Sequence, residues 1–283
     1  MAKLLYNKRK LWRLGVLLLL LAGILDAVVI EPRWVEVHRF EVLLPRLPRA
    51  FDGLTVVQLT DIHYKRGLER RYYRRVVEMT NRLHPDLIVL TGDYVTVYWD
   101  DVRQCAQLLS GLHAPLGVYA ILGNHDYAPG KLPVLQALRA AGITVLVNQS
   151  TPMQRGNARL WLVGLDDTMT PLARPDLHAA LRDVPADDAK ILLVHEPDYA
   201  DVAAHYPIDL QLSGHSHGGM VWLPWLGAPH LPWGAHQYPR GLNHIGALTE
   251  YTSRGVGGLP LIVVPLRFND RPEITVITLR AGH

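Results

Sequence analysis

From Leu54 onward the chain alternates short unbroken apolar runs with longer stretches in which apolar side chains recur every three or four positions. The short runs predict buried strands over Leu54–Leu59, Asp86–Thr91, Gly117–Leu122, Thr144–Val147, Leu160–Leu165, Ile191–Val194 and Leu210–Leu212. Between them, Tyr72, Val76, Val77 and Leu83 share one side of a helix predicted over Leu68–Leu83, and Val102, Leu108 and Leu109 mark a second within Tyr98–Leu112. A third helix is predicted over Leu132–Ala141, with short helical pieces at Leu177–Leu181 and Tyr199–His205. Such alternation implies an α/β architecture in which helices cover sheets. Toward the C-terminus, Ile245–Thr252, Leu261–Pro265 and Ile274–Leu279 are strand-like with no helix between them, a mixed or antiparallel finish.

Before Leu54 the pattern differs. Residues 31–50 read as a connector that becomes a first strand, with Trp34, Val35, Val37, Phe40, Val42 and Leu43 interspersed with charges until Pro45 and Pro48 break the run. Residues 1–30 join a basic block (Lys3, Lys8, Arg9, Lys10, Arg13) to the uncharged Leu14–Leu25, then Asp26 and Ala27-Val28-Val29-Ile30, the order of a signal-anchor. Leu14–Leu25 alone falls short of the roughly 20 apolar residues that span a bilayer. An interfacial place for Asp26 lets the span run past it. No small-x-small cleavage site is evident, so a retained anchor is expected, with the basic block in the cytoplasm and the body, 51–283, on the far side.

Charge changes the picture only at that leader. The formal net charge of +3 comes from it: without its five basic residues, 24 basic side chains face 26 acidic ones. A near-neutral body lacks the concentrated positive face that a backbone-tracking nucleic-acid binder needs, and no specific nucleic-acid partner is expected. Cys105 is the single cysteine, so no intrachain disulfide forms.

The candidate chemistry lies where the strands end. Asp61 and His63 follow the first strand, Asp93 the second, and Asn124, His125 and Asp126 the third, while His195 closes the strand begun at Ile191 and His215 and His217 follow Leu210–Leu212. Side chains at the carboxyl ends of strands in an α/β sheet converge on one edge. Carboxylates, an amide and imidazoles together suit Mn, Zn or Fe. Two such ions need a shared ligand, and a carboxylate such as Asp93 can bridge. Gly92, Gly123 and Gly214 each precede a ligand candidate, as tight turns or close backbone approach would require. The D-x-H and H-x-H pairs are expected to aim two donors at one region from an extended turn.

Asp61-Ile62-His63, Gly92-Asp93, Gly123-Asn124-His125-Asp126, His195 and Gly214-His215-Ser216-His217-Gly218-Gly219 resemble, in order and spacing, the calcineurin-like metallophosphoesterases, and more narrowly their membrane-associated bacterial branch with its lipid-A-linked relatives. The resemblance spans Leu54 to Leu279, with Arg267-Phe268 and Pro272-Glu273-Ile274 in keeping. It implies a four-layer α-β-β-α sandwich with mixed sheets. It implies two metal ions, Mn favoured over Fe or Zn, with Asp61, His63 and His217 on one, Asn124, His195 and His215 on the other, and Asp93 bridging. His125 is then the substrate-facing catalytic imidazole, oriented by Asp126, and a metal-bridging hydroxide is the nucleophile. Two departures stand out: Lys8-Arg9-Lys10 is not a twin-arginine export signal, and Met220 stands where many relatives have Gln.

Gly218–Gly241, rich in Trp, Pro and Gly, is too long for an ordinary connector and reads as a binding loop. Trp222 and Trp225 within it, and Arg254 beyond it, are candidate substrate contacts; His84, His113, His178, His205, His230, His236 and His244 match no ligand position. The expected substrate is a phosphodiester or phosphomonoester, small or lipid-linked, with membrane lipid as a partner and a bacterial inner membrane as the location. Competing readings are a UDP-2,3-diacylglucosamine pyrophosphatase, a nucleotide or cyclic-nucleotide phosphodiesterase, and a non-enzymatic metal-stabilised binding protein.

Overall fold

The computed structural model describes residues 2–65, 69–96, 99–258 and 266–282. Twelve strands are described: β1 (Glu36–Leu44), β2 (Thr55–Leu59), β3 (Leu87–Thr91), β4 (Val118–Ile121), β5 (Thr144–Val145), β6 (Gln149–Arg155), β7 (Ala158–Gly164), β8 (Ala189–Leu193), β9 (Leu210–Ser213), β10 (Gly241–Ile245), β11 (Leu248–Thr252) and β12 (Glu273–Ala281). They form two six-stranded sheets, ordered β1-β12-β2-β3-β4-β5 and β10-β11-β9-β8-β7-β6. The helices are α1 (Ala2–Leu25), α2 (Glu69–Arg82), α3 (Trp99–Leu109), α4 (Lys131–Ala140), α5 (Leu177–Leu181) and α6 (Ala200–Ala203).

Alternation along the central strands divides the core. Val56, Leu87, Val89 and Ile121 of the first sheet meet Leu160, Leu162, Ile191, Leu193, Leu210 and Leu212 of the second. Val57, Leu59, Ile88 and Leu90 point the other way, onto Tyr73, Val76, Val102, Leu109, Val134 and Leu138 of α2, α3 and α4. The outer face of the second sheet, through Val163, Leu192 and Val194, packs on Leu177, Ala180, Ala200 and Ala203 of α5 and α6. The result is the α-β-β-α sandwich with mixed sheets. Strands such as β3 and β8 are buried on both faces, which is why they read as continuous apolar runs rather than alternating ones.

The structure departs from the sequence reading at two strands. The strand expected over Ile245–Thr252 is broken by a turn, because Gly246, at φ +60°, folds β10 back antiparallel onto β11. The polar β6, paired antiparallel with β7, carries no apolar signature and was not predicted. The strand expected over Leu261–Pro265 lies outside the described residues. The connector-and-strand segment supplies β1, which pairs parallel with β12 from Glu36↔Glu273 to Leu44↔Ala281.

The N-terminal helix is longer than its leucine run. Lys10–Arg33 stays helical over 24 residues, its most apolar 18-residue stretch having mean hydropathy 2.4 and only 11% of it buried, and passes from α-helix through a π turn at Asp26–Ile30 into a 3₁₀ turn at Glu31–Arg33. At about 1.5 Å per residue it is long enough to cross a bilayer. The buried Glu31 then locks into the body, its carboxylate accepting from Asn269 N (2.9 Å) and Asp270 N (2.5 Å), while Arg267 N donates to Ala27 O (2.8 Å).

Candidate metal centre

Two three-residue groups bring ligand atoms within 4.8 Å of one another: Asp61, His63 and His217, and Asp93, His195 and His215, all buried. β2, β3, β8 and β9 deliver them from their carboxyl ends, two from each sheet, so the groups meet where the sheets' edges adjoin. The groups touch through Asp93, whose Oδ2 lies 3.4 Å from His63 Nε2 and 3.2 Å from His195 Nε2. His63 and His217 face each other with Nε2 atoms 3.1 Å apart, and His217 Nε2 is 3.5 Å from Asp61 Oδ1.

The turns that do this are not extended. Asp61, His63, Asp93, His215 and His217 all have left-handed backbones, with φ between +45° and +68°. Such conformations are uncommon outside glycine and collect at functional sites, where the surrounding fold over-determines them. Alternating left-handed residues bring Asp61 and His63 into one group, while of the second pair His217 joins them and His215 turns to the Asp93 group. Gly92 and Gly123 permit this crowding: a Cβ on Gly92 would sit 2.6 Å from Gly123 N and 2.8 Å from His195 Nδ1, and one on Gly123 would sit 2.7 Å from Asp93 N.

The charges are mutually dependent. Burial pushes the Asp61 carboxyl up to about 6 against the pull of His195, and pushes the imidazoles of His63 and His215 down to about 3 and about 4. His217 is held well below the ordinary imidazole value by burial and by His63. Burial opposes charge on Asp93 and His195 as well, but this close pair holds itself ionised, the acid well below its usual value and the imidazole well above. The neutral rings of His63, His215 and His217 keep a lone pair for a metal, and at His195 a cation would take the place of the proton that Asp93 otherwise holds there.

The buried atoms without hydrogen-bond partners test whether cations fit. They include His195 Nε2, turned toward Asp93, and Asn124 Oδ1. His195 Nδ1 donates to Thr91 O (2.7 Å) and His215 Nε2 to Trp233 O (2.8 Å), which fixes each tautomer and leaves the opposite nitrogen as the ligand atom. Oxygen and imidazole donors with unfilled lone pairs, in two groups sharing a carboxylate, fit a pair of divalent cations.

The other predicted site residues fall as follows. His125 is half-buried, its ring edge-on to His63 at 4.9 Å between centroids, and its backbone N–H donates to Asp93 Oδ1 (2.9 Å). Asp126 was expected to orient His125; its hydrogen bonds go instead to the backbone N–H groups of Gly123, Asp93 and Tyr94, each at 2.9 Å. It is fully buried, and burial followed by Asp93 pushes its carboxyl up to about 8. Arg254 was expected to meet phosphate, but its guanidinium is committed to Glu273 (2.6 Å) and Glu36 (3.1 Å). Trp222 is half-buried beneath Arg240, whose guanidinium lies 3.7 Å from the ring centroid, and Trp225 is fully exposed.

Sequence reasoning placed Arg267 within the resemblance but gave it no role. Only 1% exposed, it donates to the carbonyls of His217 (3.4 Å), Arg254 (2.9 Å), Gly255 (3.3 Å), Gly257 (2.7 Å) and Asp270 (3.1 Å), pinning the last ligand loop from behind. Backbone carbonyls such as Thr91 and Trp233 leave no signature by which their partners could have been found.

Comparison with known proteins agrees with this geometry. The family model described as calcineurin-like phosphoesterase matches residues 54–219. An uncharacterized metallophosphoesterase of Bacillus subtilis, YkuE, is 36% identical over 259 residues, 89% of this chain and 88% of its own. The phosphodiesterase YaeI of Escherichia coli is 34% identical over 88% of this chain and 90% of its own. A UDP-2,3-diacylglucosamine pyrophosphatase of Chlamydia trachomatis, LpxG, is 27% identical over 88% and 90%.

Proposed function

The chain belongs to the calcineurin-like phosphoesterases and is a metal-dependent phosphoesterase, and from that premise we propose that it is a membrane-anchored phosphodiesterase of the family's bacterial branch. The observation that carries the reading is the pair of buried ligand groups joined at Asp93, with His125 beside them. Asp61, His63 and His217 would hold one cation and Asn124, His195 and His215 the other, with Asp93 shared. Bound there, the two cations, Mn favoured, supply an activated water and neutralise charge developing on phosphorus-bound oxygens. His125, half-exposed and set by Asp93 at its backbone, is placed to hydrogen-bond a phosphoryl oxygen or to give a proton to the leaving oxygen. Asp126 keeps the loops of Asp93 and His125 in register, a positioning role rather than a chemical one.

The diester preference is supported by the likeness to a phosphodiesterase across nearly the whole chain. Anchoring is supported by the exposed apolar helix over Lys10–Arg33, and the basic residues before it favour a body outside the cytoplasm. The purified full chain, stripped of metal and given back Mn, is expected to hydrolyse bis-p-nitrophenyl phosphate faster than p-nitrophenyl phosphate and to lose both activities on His125→Ala. Faster monoester hydrolysis would overturn the diester assignment, and no hydrolysis of either with metal bound would overturn the reading as a whole.

A further inference from the structure

Resting on the reading of α1 as a membrane anchor, we propose that the loop Trp222–Trp233 docks on the lipid–water interface of the same bilayer and sets the mouth of the metal site at headgroup level. The loop exposes Trp225 and Leu226 at the tip of a turn closed by Leu223 N to Gly227 O and Gly227 N to Leu223 O, both 2.9 Å, and exposes Trp233 further on. An apolar, Trp-rich tip of this kind is unfavourable in water and suited to the interfacial zone of a membrane, where indole rings collect.

Two chains of contacts say why the covering partner is lipid. The loop is stitched to the exit of the apolar helix: Trp222 N donates to Phe268 O (2.9 Å), Asn269 Nδ2 to Trp222 O (3.2 Å), and Asn269 N to the Glu31 carboxylate (2.9 Å). Pro224 and Asp26 line one cavity of about 550 Å³ with Arg254 and Arg271, which sets the tip beside the end of that helix. The loop is also stitched to the metal centre, since the carbonyl of Trp233 accepts from the ligand His215. Trp34, half-exposed just past the helix and stacked beneath Arg271 at 4.0 Å, continues the same face. A bilayer holding α1 therefore meets these indoles, and the substrate it presents is a phosphate ester carried on an amphiphile.

The test uses the full chain in nanodiscs containing brominated phospholipid, as wild type, Trp225→Phe and Leu226→Glu. Trp225→Phe is expected to remove a bromine-quenched component of the tryptophan emission. Leu226→Glu is expected to hydrolyse bis-p-nitrophenyl phosphate with Mn within about twofold of wild type, yet to lose about tenfold or more on a long-chain p-nitrophenyl phosphodiester embedded in the disc, the scale set by withdrawing one apolar side chain from lipid. Quenching identical in wild type and Trp225→Phe, with the embedded diester turned over equally by Leu226→Glu, would overturn the docking while the soluble diester still upheld the phosphoesterase. A wild type inert on the soluble diester would sink the functional reading, and the quenching would still decide the docking. A dimer in detergent that Leu226→Glu splits, with unchanged quenching in Trp225→Phe, would assign the surface to a second copy and overturn the proposal.

Discussion

The two ligand groups are built alike at the metal and unlike behind it. In the Asp93 group, the far nitrogens of both imidazoles are spent on backbone carbonyls, His195 Nδ1 on Thr91 and His215 Nε2 on Trp233. In the Asp61 group, the far nitrogens Nδ1 of His63 and His217 are buried without a hydrogen-bond partner, and support reaches that side through Asp61, which accepts from His215 N at 3.0 and 3.1 Å, and through Arg267 behind His217 O. Outer hydrogen bonds fix ring orientation and raise ligand basicity. This unequal backing predicts that cations bound at the two positions would differ in grip, more tightly held in the Asp93 group than in the Asp61 group.

The largest expected effect ignores this difference. Asp93→Asn strikes the residue common to both groups, and Mn-dependent diester hydrolysis should fall by more than the roughly 10–100-fold typical of an outer partner, with less than half the wild-type metal by elemental analysis. Full metal content in Asp93→Asn would show that the groups are independent. Arg267→Met should come next, destabilising the chain by about 3 kcal/mol by leaving the buried Asp270 with only the longer Arg240 contact (3.5 Å) and the carbonyls that Arg267 holds without a donor, read by denaturant unfolding in matched detergent. A loss confined to metal affinity, with stability intact, would make Arg267 part of the Asp61 group rather than of the fold.

The comparison itself is tested by metal titration. Mn binding to stripped protein should resolve two phases about 10–100-fold apart, with His63→Ala keeping the tighter and His195→Ala losing it. A single phase of two equivalents would break the comparison. The smallest effect is a control distant from both groups. Glu250 on β11 is fully buried; burial, partly offset by hydrogen bonds from Thr252 and Asn243, pushes its carboxyl from an ordinary 4.5 up to about 8. The folded state then holds a proton that the unfolded state has released, so stability is lost as pH rises from about 4.5 to about 8. Glu250→Gln should flatten the fall of Tm between pH 6 and pH 8.5 by a few degrees, on the order of 1 kcal/mol. An unchanged slope would return that pH dependence to the metal groups.

Much of this was legible before any coordinates. The strands carrying ligands are largely buried on both faces, and a mostly apolar run followed within a few residues by Asp, Asn or His is a strong local signal, so β2, β3, β4, β8 and β9 and the chemistry at their ends could be read directly. β6 could not, because its side chains are mostly polar and its register comes from β7. The partners of Asp126 and Arg267 are main-chain atoms, and sequence says nothing of where another segment's carbonyl or amide will lie. The left-handed backbones of Asp61 and His63, in the turn that follows β2, leave no signature in sequence, because Asp and His adopt that conformation only occasionally.

The apolar helix reaches Glu31 without a coil between them, and Glu31 is sewn to Asn269 and Asp270 in the loop that precedes β12. A helix joined this way behaves as a lever. Where α1 crosses a bilayer, a thicker or thinner membrane changes its tilt to match its apolar length, and a rigid joint passes that rotation to the body. Membrane thickness would then set the angle at which the catalytic face meets the lipid, and the lipid composition of the host membrane would join metal and substrate as an input to turnover.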